Sequence, residues 1–186
     1  MMNVYDFDKT IYDGDSTIDF YLYCLLRHPE LSVYIFGQMW GVFLHKIGRI
    51  DTKELKERFF AFMIGVRDLD RLVESFWDSQ ESKIKGWYLK QRQDDDVVIS
   101  ASPGFLLAPI CRRLGIASPI ATELDMASGK ILGANCKGKE KVRRFFERYP
   151  GAVIRRFYSD SLTDTPLAAL AEEAFLVQGD RVIPWM

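Results

Sequence analysis

A chain of 186 residues with 48% hydrophobic content is enough for one well-packed domain and a small insertion. A formal net charge of −1 leaves no global basic field to attract nucleic acid or anionic lipid. The three cysteines, Cys24, Cys111 and Cys136, form no Cys-x-x-Cys pair, which argues against a disulfide framework and against a zinc site.

The first run, Asn3-Val4-Tyr5-Asp6-Phe7-Asp8-Lys9-Thr10, reads as a buried strand that gives way to a loop. Residues i and i+2 of a strand point to the same side, so Asp6 and Asp8 can face one small volume. Carboxylates at the end of a central strand are costly unless paired or bound to a metal. A catalytic strand this close to the N-terminus leaves no room for a signal peptide, and the expected location is the cytoplasm.

Tyr12-Asp13-Gly14-Asp15-Ser16 is a turn cluster, with Asp15 or Ser16 able to cap a helix starting near Thr17 and stopping near His28-Pro29. Residues 31–44 follow without a single charge. The stretch is shorter than the roughly 20 apolar residues of a membrane span. A helix apolar on most sides is buried or lies on an apolar partner, and burial is the commoner case. Tyr34, Phe36, Trp40 and Phe43 are therefore expected to form a core of their own, with membrane contact through 31–44 the less favoured reading. Asp51-Thr52 opens an amphipathic helix through Leu55, Phe59, Phe60 and Met63 that should stop at Gly65. Asp68 to about Lys90 reads as a further helix broken near Trp87. Residues 13–82 thus form an all-helical insertion, between a short first segment, 1–12, and the remainder, 83–186.

From Asp94 the texture changes. Val97-Val98-Ile99 is a β-branched run followed by the loop Ser100 to Gly104 and a helix, Phe105 to Leu114. Residues 120–124 and 130–132 flank Ser128-Gly129 as a hairpin. A helix from about Lys139 to Arg148, a strand from Ala152 to Tyr158, a helix from Thr165 to Glu172 and a strand from Ala174 to Val177 complete the chain. Strand–helix alternation predicts an α/β fold: a Rossmann-like parallel sheet with helices on both faces, plus the helical insertion after the first strand. Ligands of such sheets bind beyond the carboxyl ends of the strands. Three of those ends carry polar groups: Asp6 with Asp8, Ser100, and Asp160 with Asp164.

These groups suit a phosphate monoester. A carboxylate nucleophile approaching a dianion needs positive charge nearby. Asp6 and Asp160, with a backbone carbonyl at Asp8, offer the hard oxygens that Mg²⁺ takes. A lysine would help to neutralise the transferring group, and the Ser100 hydroxyl with backbone N–H groups at Ser100-Ala101 can hold the other phosphate oxygens. An ordinary Asp pKa leaves Asp6 ionised as a nucleophile. Asp8 must instead carry a proton to the leaving alcohol.

Asp6-Phe7-Asp8-Lys9-Thr10, Ser100 after Val97-Val98-Ile99, Lys137-Gly138-Lys139-Glu140-Lys141 and Asp160-Ser161-Leu162-Thr163-Asp164, in that order, resemble the four motifs of the haloacid dehalogenase superfamily. The helical insertion resembles the cap of its phosphoserine-phosphatase-like branch. The resemblance implies a Mg²⁺-dependent phosphatase with Asp6 as nucleophile, Asp8 as acid/base, Thr10 and Ser100 as phosphate-site hydroxyls, Asp160 with Asp6 on the metal, and Asp164 supporting the metal shell or the lysine. The lysine stays open between Lys137, which precedes the glycine as in phosphoserine phosphatases, and Lys141, which fits the Cys-x-Gly-x-Glu-Lys pattern of other relatives.

Asp15 and Arg58 fall where phosphoserine phosphatases carry a Glu and an Arg for the amino-acid head group, so a small metabolite such as phosphoserine is the expected substrate. Cys136-x-Gly138-x-Glu140-Lys141, Tyr158 to Leu167 and the apolar stretch also resemble phosphatidylglycerophosphatase C, which implies a lipid phosphate as the alternative. A non-catalytic phospho-acceptor module of the receiver type uses similar groups, but places its acceptor on a later strand and lacks the insertion.

Overall fold

The computed structural model describes residues 1–186. Its centre is β1 (Met2–Tyr5), which lies parallel to β2 (Val97–Pro103) on one side and to β4 (Ile154–Ser159) on the other. With β3 (Ile120–Thr122), β5 (Ala171–Gln178) and β6 (Arg181–Pro184) the sheet runs β3-β2-β1-β4-β5-β6. All pairings are parallel except β5 with β6.

Strand alternation divides the core. Val4, Val97, Ile99 and Phe157 pack on α7 (Lys139–Arg148) and α8 (Thr165–Ala168) through Phe145 and Leu167. Tyr5, Val98 and Tyr158 face the other way, into a larger cluster that includes Leu106 and Ile110 of α6 (Gly104–Arg113). On that face Tyr5, Tyr158 and Phe175 stack across three neighbouring strands, with ring centroids 4.7 and 5.0 Å apart.

Between β1 and β2 the chain is helical: α1 (Ser16–Arg27), α2 (Ile35–Lys46), α3 (Thr52–Phe60), α4 (Leu69–Gln80) and the short α5 (Gly86–Gln91), with 3₁₀ turns at Pro29–Tyr34, Ala61–Gly65 and Glu81–Lys83. The Asp15 carboxylate caps α1 by accepting from the Ile18 N–H, and Asp51 caps α3 through the Glu54 N–H. The outgoing and returning chains run side by side. Asp13 N–H donates to the Lys83 carbonyl at 2.9 Å, and Lys85 N–H to the Ile11 carbonyl at 2.8 Å. The buried Lys85 ammonium ties this crossing to the Lys9 and Gly179 carbonyls. One apolar cluster unites α1 and α4 with α6 and the sheet, and Trp77 of α4 donates its indole N–H to the Leu106 carbonyl at 2.7 Å. On the far side α3 rests on the loop after β3. A Cβ on Gly129 would come within 2.9 Å of the Phe60 carbonyl oxygen, and its φ of +70° also calls for glycine.

Several elements differ from expectation. Residues 31–44 do not make a buried core: only Leu31, Gln38 and Gly41 are buried, while Phe36 is 82% and Trp40 56% exposed. The stretch opens as a 3₁₀ turn after Pro29 and then turns just one edge of α2 inward. The long helix breaks at Glu81–Lys85, ahead of Trp87, where the chain pairs with residues 11–13. The hairpin around Ser128-Gly129 shrinks to a single Leu124–Ile131 bridge, because β3 is committed to β2. The helix from Thr165 ends at Ala168, since β5 begins at Ala171 to pair with Ile154. β6 was not expected; it returns from β5 through Gly179-Asp180, a two-residue turn with Gly179 at φ +60°.

Candidate active site

Strand alternation puts Asp6, one residue past β1, on the side of Val4 and α7. The Lys141 ammonium enters from α7, donating to Asp6 Oδ1 at 2.7 Å and to Asp164 Oδ2 at 2.6 Å. Lys141 is 2% exposed, so this is a buried ion triad. Asp164 also accepts from Ser159 Oγ at 2.8 Å, and its Oδ1 is buried without a partner. Lys141 occupies only one oxygen of Asp6. Burial pushes the Asp6 carboxyl up, to about 7, against the pull of Lys141, with Asp164 and Asp8 adding to the rise. The Lys141 ammonium, held by two carboxylates, titrates above the usual lysine range although burial alone would lower it.

Asp8 lies in the loop and is held differently. Its Oδ1 accepts the Ser16 N–H at 2.7 Å, and its Oδ2 accepts a short bond from Ser102 Oγ, which lies 3.0 Å from Thr17 Oγ1. Burial raises its pKa against these bonds. Lys9, next in sequence, sits at φ +55°, a left-handed conformation that a non-glycine residue adopts at a cost of about 1–2 kcal/mol. The strained turn re-aims the chain immediately after Asp8.

Asp6, Asp8, Ser100, Ala101, Asp160, Asp164, Asp15, Lys137 and Lys141 all line one polar pocket of about 220 Å³, in which Ala101 is the single apolar residue. The Ser100 hydroxyl accepts from the Ser102 N–H at 3.1 Å. Lys137 is exposed at the pocket rim and makes no contact with Asp6 like that of Lys141. Two expectations need correction. Thr10 is fully buried and outside the pocket; its hydroxyl accepts the Asp160 N–H at 2.9 Å, so it braces the loop that carries Asp160 instead of meeting phosphate. Arg58 is turned away, paired with Glu54 on the surface and packed over Gly41. The head-group pair Asp15 with Arg58 is therefore not assembled.

The basic group that α3 does deliver is Lys56. Its ammonium donates to the Ala101 carbonyl at 3.0 Å and to Asn135 Oδ1 at 2.9 Å. Burial, with Lys137 nearby, lowers its pKa. Lys56, Asn135, Ser102 and Thr17 were not singled out from the sequence. A signal for Lys56 was present, since it shares a helix face with Phe59 and Phe60, three and four residues further on.

The donor set fits a hard divalent cation. Asp6, Asp8 and Asp160 line one pocket in which five aspartates meet four lysines, and burial raises all three, Asp160 against the pull of Lys9 and Lys141. No three acidic, His or Cys side chains close around one point. Mg²⁺ takes one or two carboxylates and keeps waters and phosphate oxygens, so Asp6 and Asp160 would be enough to hold it.

Comparison with known proteins gives the family and the fold. The family model described as haloacid dehalogenase-like hydrolase matches residues 4–169. Protein CicA of Caulobacter vibrioides is 37% identical over 95 residues, which cover 48% of this chain and 42% of CicA, so the match spans under half the length of that relative. The phosphoserine phosphatase SerB1 of Mycobacterium tuberculosis is 26% identical over 95% of this chain and 64% of its own. A crystal structure of a Bordetella pertussis Tohama I protein of unknown function shares the fold, with a TM-score of 0.77 at 19% identity, covering 93% of this chain and 87% of that one.

Proposed function

The chain belongs to the haloacid dehalogenase-like hydrolases, and we propose that it is a Mg²⁺-dependent phosphomonoesterase that works through an aspartyl-phosphate on Asp6. The observation that carries this reading is the Lys141 bridge between Asp6 and Asp164 beside a second, differently held carboxylate, Asp8. Lys141 fixes Asp6 through Oδ1 and leaves Oδ2 for attack on phosphorus. As the new P–O bond forms, the bond to the leaving alkoxide breaks, and Asp8 gives that alkoxide its proton. The raised pKa of Asp8 suits a group that must hold a proton until then. Asp8 next takes a proton from the water that attacks the aspartyl-phosphate, and inorganic phosphate leaves with Asp6 restored. Ser100 and the neighbouring N–H groups hold the non-bridging oxygens, and Lys141 offsets their charge. Mg²⁺ held by Asp6, Asp160 and the Asp8 carbonyl would supply Lewis-acid neutralisation of the phosphoryl group.

Domain organisation follows the same reading: residues 1–12 and 83–186 carry the chemistry, and 13–82 cover it. Phosphoserine finds less support than other small monoesters, because Arg58 points away from the pocket. The test is phosphate release from a panel of monoesters with Mg²⁺ and with EDTA. Asp6→Asn should lose at least about a thousandfold in kcat, and EDTA should abolish turnover. Activity above a tenth of wild type in Asp6→Asn would end the covalent mechanism. A stable aspartyl-phosphate without turnover would instead support a phospho-acceptor module.

A further inference from the structure

The polar pocket does not end at its apolar neighbour. A second cavity, of about 310 Å³, shares Asp8, Asp15, Lys56 and Ala101 with it and is lined beyond them by Ile18, Val42, Leu55, Phe59 and Phe60. The polar groups in its wall are already engaged. Gln38 accepts from Tyr21 Oη at 2.5 Å and donates to the Phe59 carbonyl at 3.0 Å, while Thr17 and Ser102 pair with each other. Beyond the boundary of Asp8, Asp15 and Lys56, little remains to solvate an ammonium or carboxylate. The cavity continues, through Gln38, Val42 and Phe59, into a trough lined by Tyr21, Leu22, Leu25 and Met39 between α1 and α2. The trough opens on the exposed apolar face of α2, with Met39 65% and Phe43 50% exposed.

We propose that this cavity and trough form a leaving-group subsite for an unbranched alkyl chain, so that the preferred substrate is a phosphate monoester carrying such a chain. The proposal rests on the phosphomonoesterase reading. With the phosphate between Asp6 and Ser100, the leaving oxygen lies toward Asp8, and Asp8 lies on the boundary shared by the two cavities. A leaving group therefore passes Lys56 and Asp15 and enters the apolar cavity. A linear chain matches a path that continues past Val42 and runs on to the surface.

The experiment measures kcat/KM for ethyl, butyl, hexyl and octyl phosphate below their critical micelle concentrations. Full burial of a methylene corresponds to about a fourfold gain, so a rise of at least about tenfold from butyl to octyl is expected. Val42→Glu, at a position 45% exposed, should flatten the series and leave ethyl phosphate unchanged. Leu22→Glu, in the outer trough, repeats the test should Val42→Glu fail to fold. A flat wild-type series, or a variant that slows ethyl and octyl phosphate alike, overturns the subsite while leaving the phosphatase reading intact. Should no ester be hydrolysed, that reading falls, and calorimetric binding of octyl against ethyl phosphate to wild type and Val42→Glu decides the subsite separately. Turnover of phosphatidate in phosphatidylcholine vesicles assigns the chain to a membrane lipid. Turnover of octyl phosphate alone assigns it to a soluble amphiphile.

Discussion

Replacing Lys141 by Met keeps most of the side-chain volume and removes the charge between Asp6 and Asp164. Both carboxylates then remain in a buried site, where Lys141 is 2% and Asp164 2% exposed in the native protein. Breaking a buried pair in this way costs about 3–5 kcal/mol, a large share of the roughly 5–15 kcal/mol that holds a domain together. For a chain of this size the loss corresponds to a fall in Tm of about 6–20 °C. The sign of its pH dependence follows from the acid. Burial already raises Asp6 to about 7, and without the ammonium it rises further. A carboxyl whose folded-state pKa exceeds its unfolded value of about 3.9 destabilises the fold above that folded pKa, and the penalty fades as pH falls through it. The Lys141→Met deficit should therefore be largest near pH 8 and shrink toward pH 5. Urea melts in EDTA at a series of pH values read it directly. Lys137→Met, at an exposed position, should stay within about 0.5 kcal/mol of wild type. A Lys141→Met protein as stable as wild type at pH 8, or a deficit independent of pH, would refute the buried triad.

Asp8→Asn should lower kcat by about 10² to 10⁴, whereas Asp160→Ala should raise the Mg²⁺ concentration needed for half-maximal rate; the two are separated by titrating metal at saturating substrate. Lys56→Ala removes charge-assisted bonds to Ala101 and Asn135, each worth about 1.5–3 kcal/mol, and should lower kcat/KM at least about tenfold, while Arg58→Ala stays within about twofold; equal losses would mean that α3 presents its other face. Trp77→Phe leaves the Leu106 carbonyl without its indole donor and should cost about 1–3 kcal/mol in a denaturant melt, with no change in KM.

The gathering of Asp6, Ser100 and Asp160 in one pocket was legible because these residues sit at the ends of short apolar runs. Asp6, Ser100 and Asp160 follow Val4-Tyr5, Val97 to Ile99 and Phe157-Tyr158, and a parallel sheet gathers such ends at one edge. Lys141 against Lys137 was not decidable from spacing alone. The register of α7 against β1, with Phe145 in the core, brings Lys141 and not Lys137 onto Asp6. Thr10 was misread because a hydroxyl near a carboxylate motif can serve a ligand or a neighbouring loop with equal ease. Its partner, the Asp160 N–H, is 150 residues away in sequence. Arg58 and Lys56 lie on the same helix two residues apart and so point to different faces. The face that meets the pocket depends on how α3 docks on Gly129 and Asn135. The uncharged stretch 31–44 misled for a related reason: hydropathy reports that a surface is apolar, and leaves open whether protein covers it.

Asp8 and the helical insertion are mechanically one object. Asp8 Oδ1 is held by the Ser16 N–H at the start of α1, and Oδ2 by Ser102, whose hydroxyl meets Thr17 one residue further along the same helix. Lys56, from α3, closes the opposite side on Ala101 and Asn135. Asp6 has no such dependence, because Asp6, Lys141, Ser159 and Asp164 all belong to the sheet and to elements packed on it. Moving α1 away from β2 would break the Ser16–Asp8 and Thr17–Ser102 contacts in one step and leave the Asp6–Lys141 pair untouched. On the phosphatase reading, an insertion displaced in this way would keep the Asp6–Lys141 pair formed and would release the bonds that orient Asp8. The insertion is thus part of the framework of the site, since its own backbone N–H fixes where the Asp8 carboxyl points.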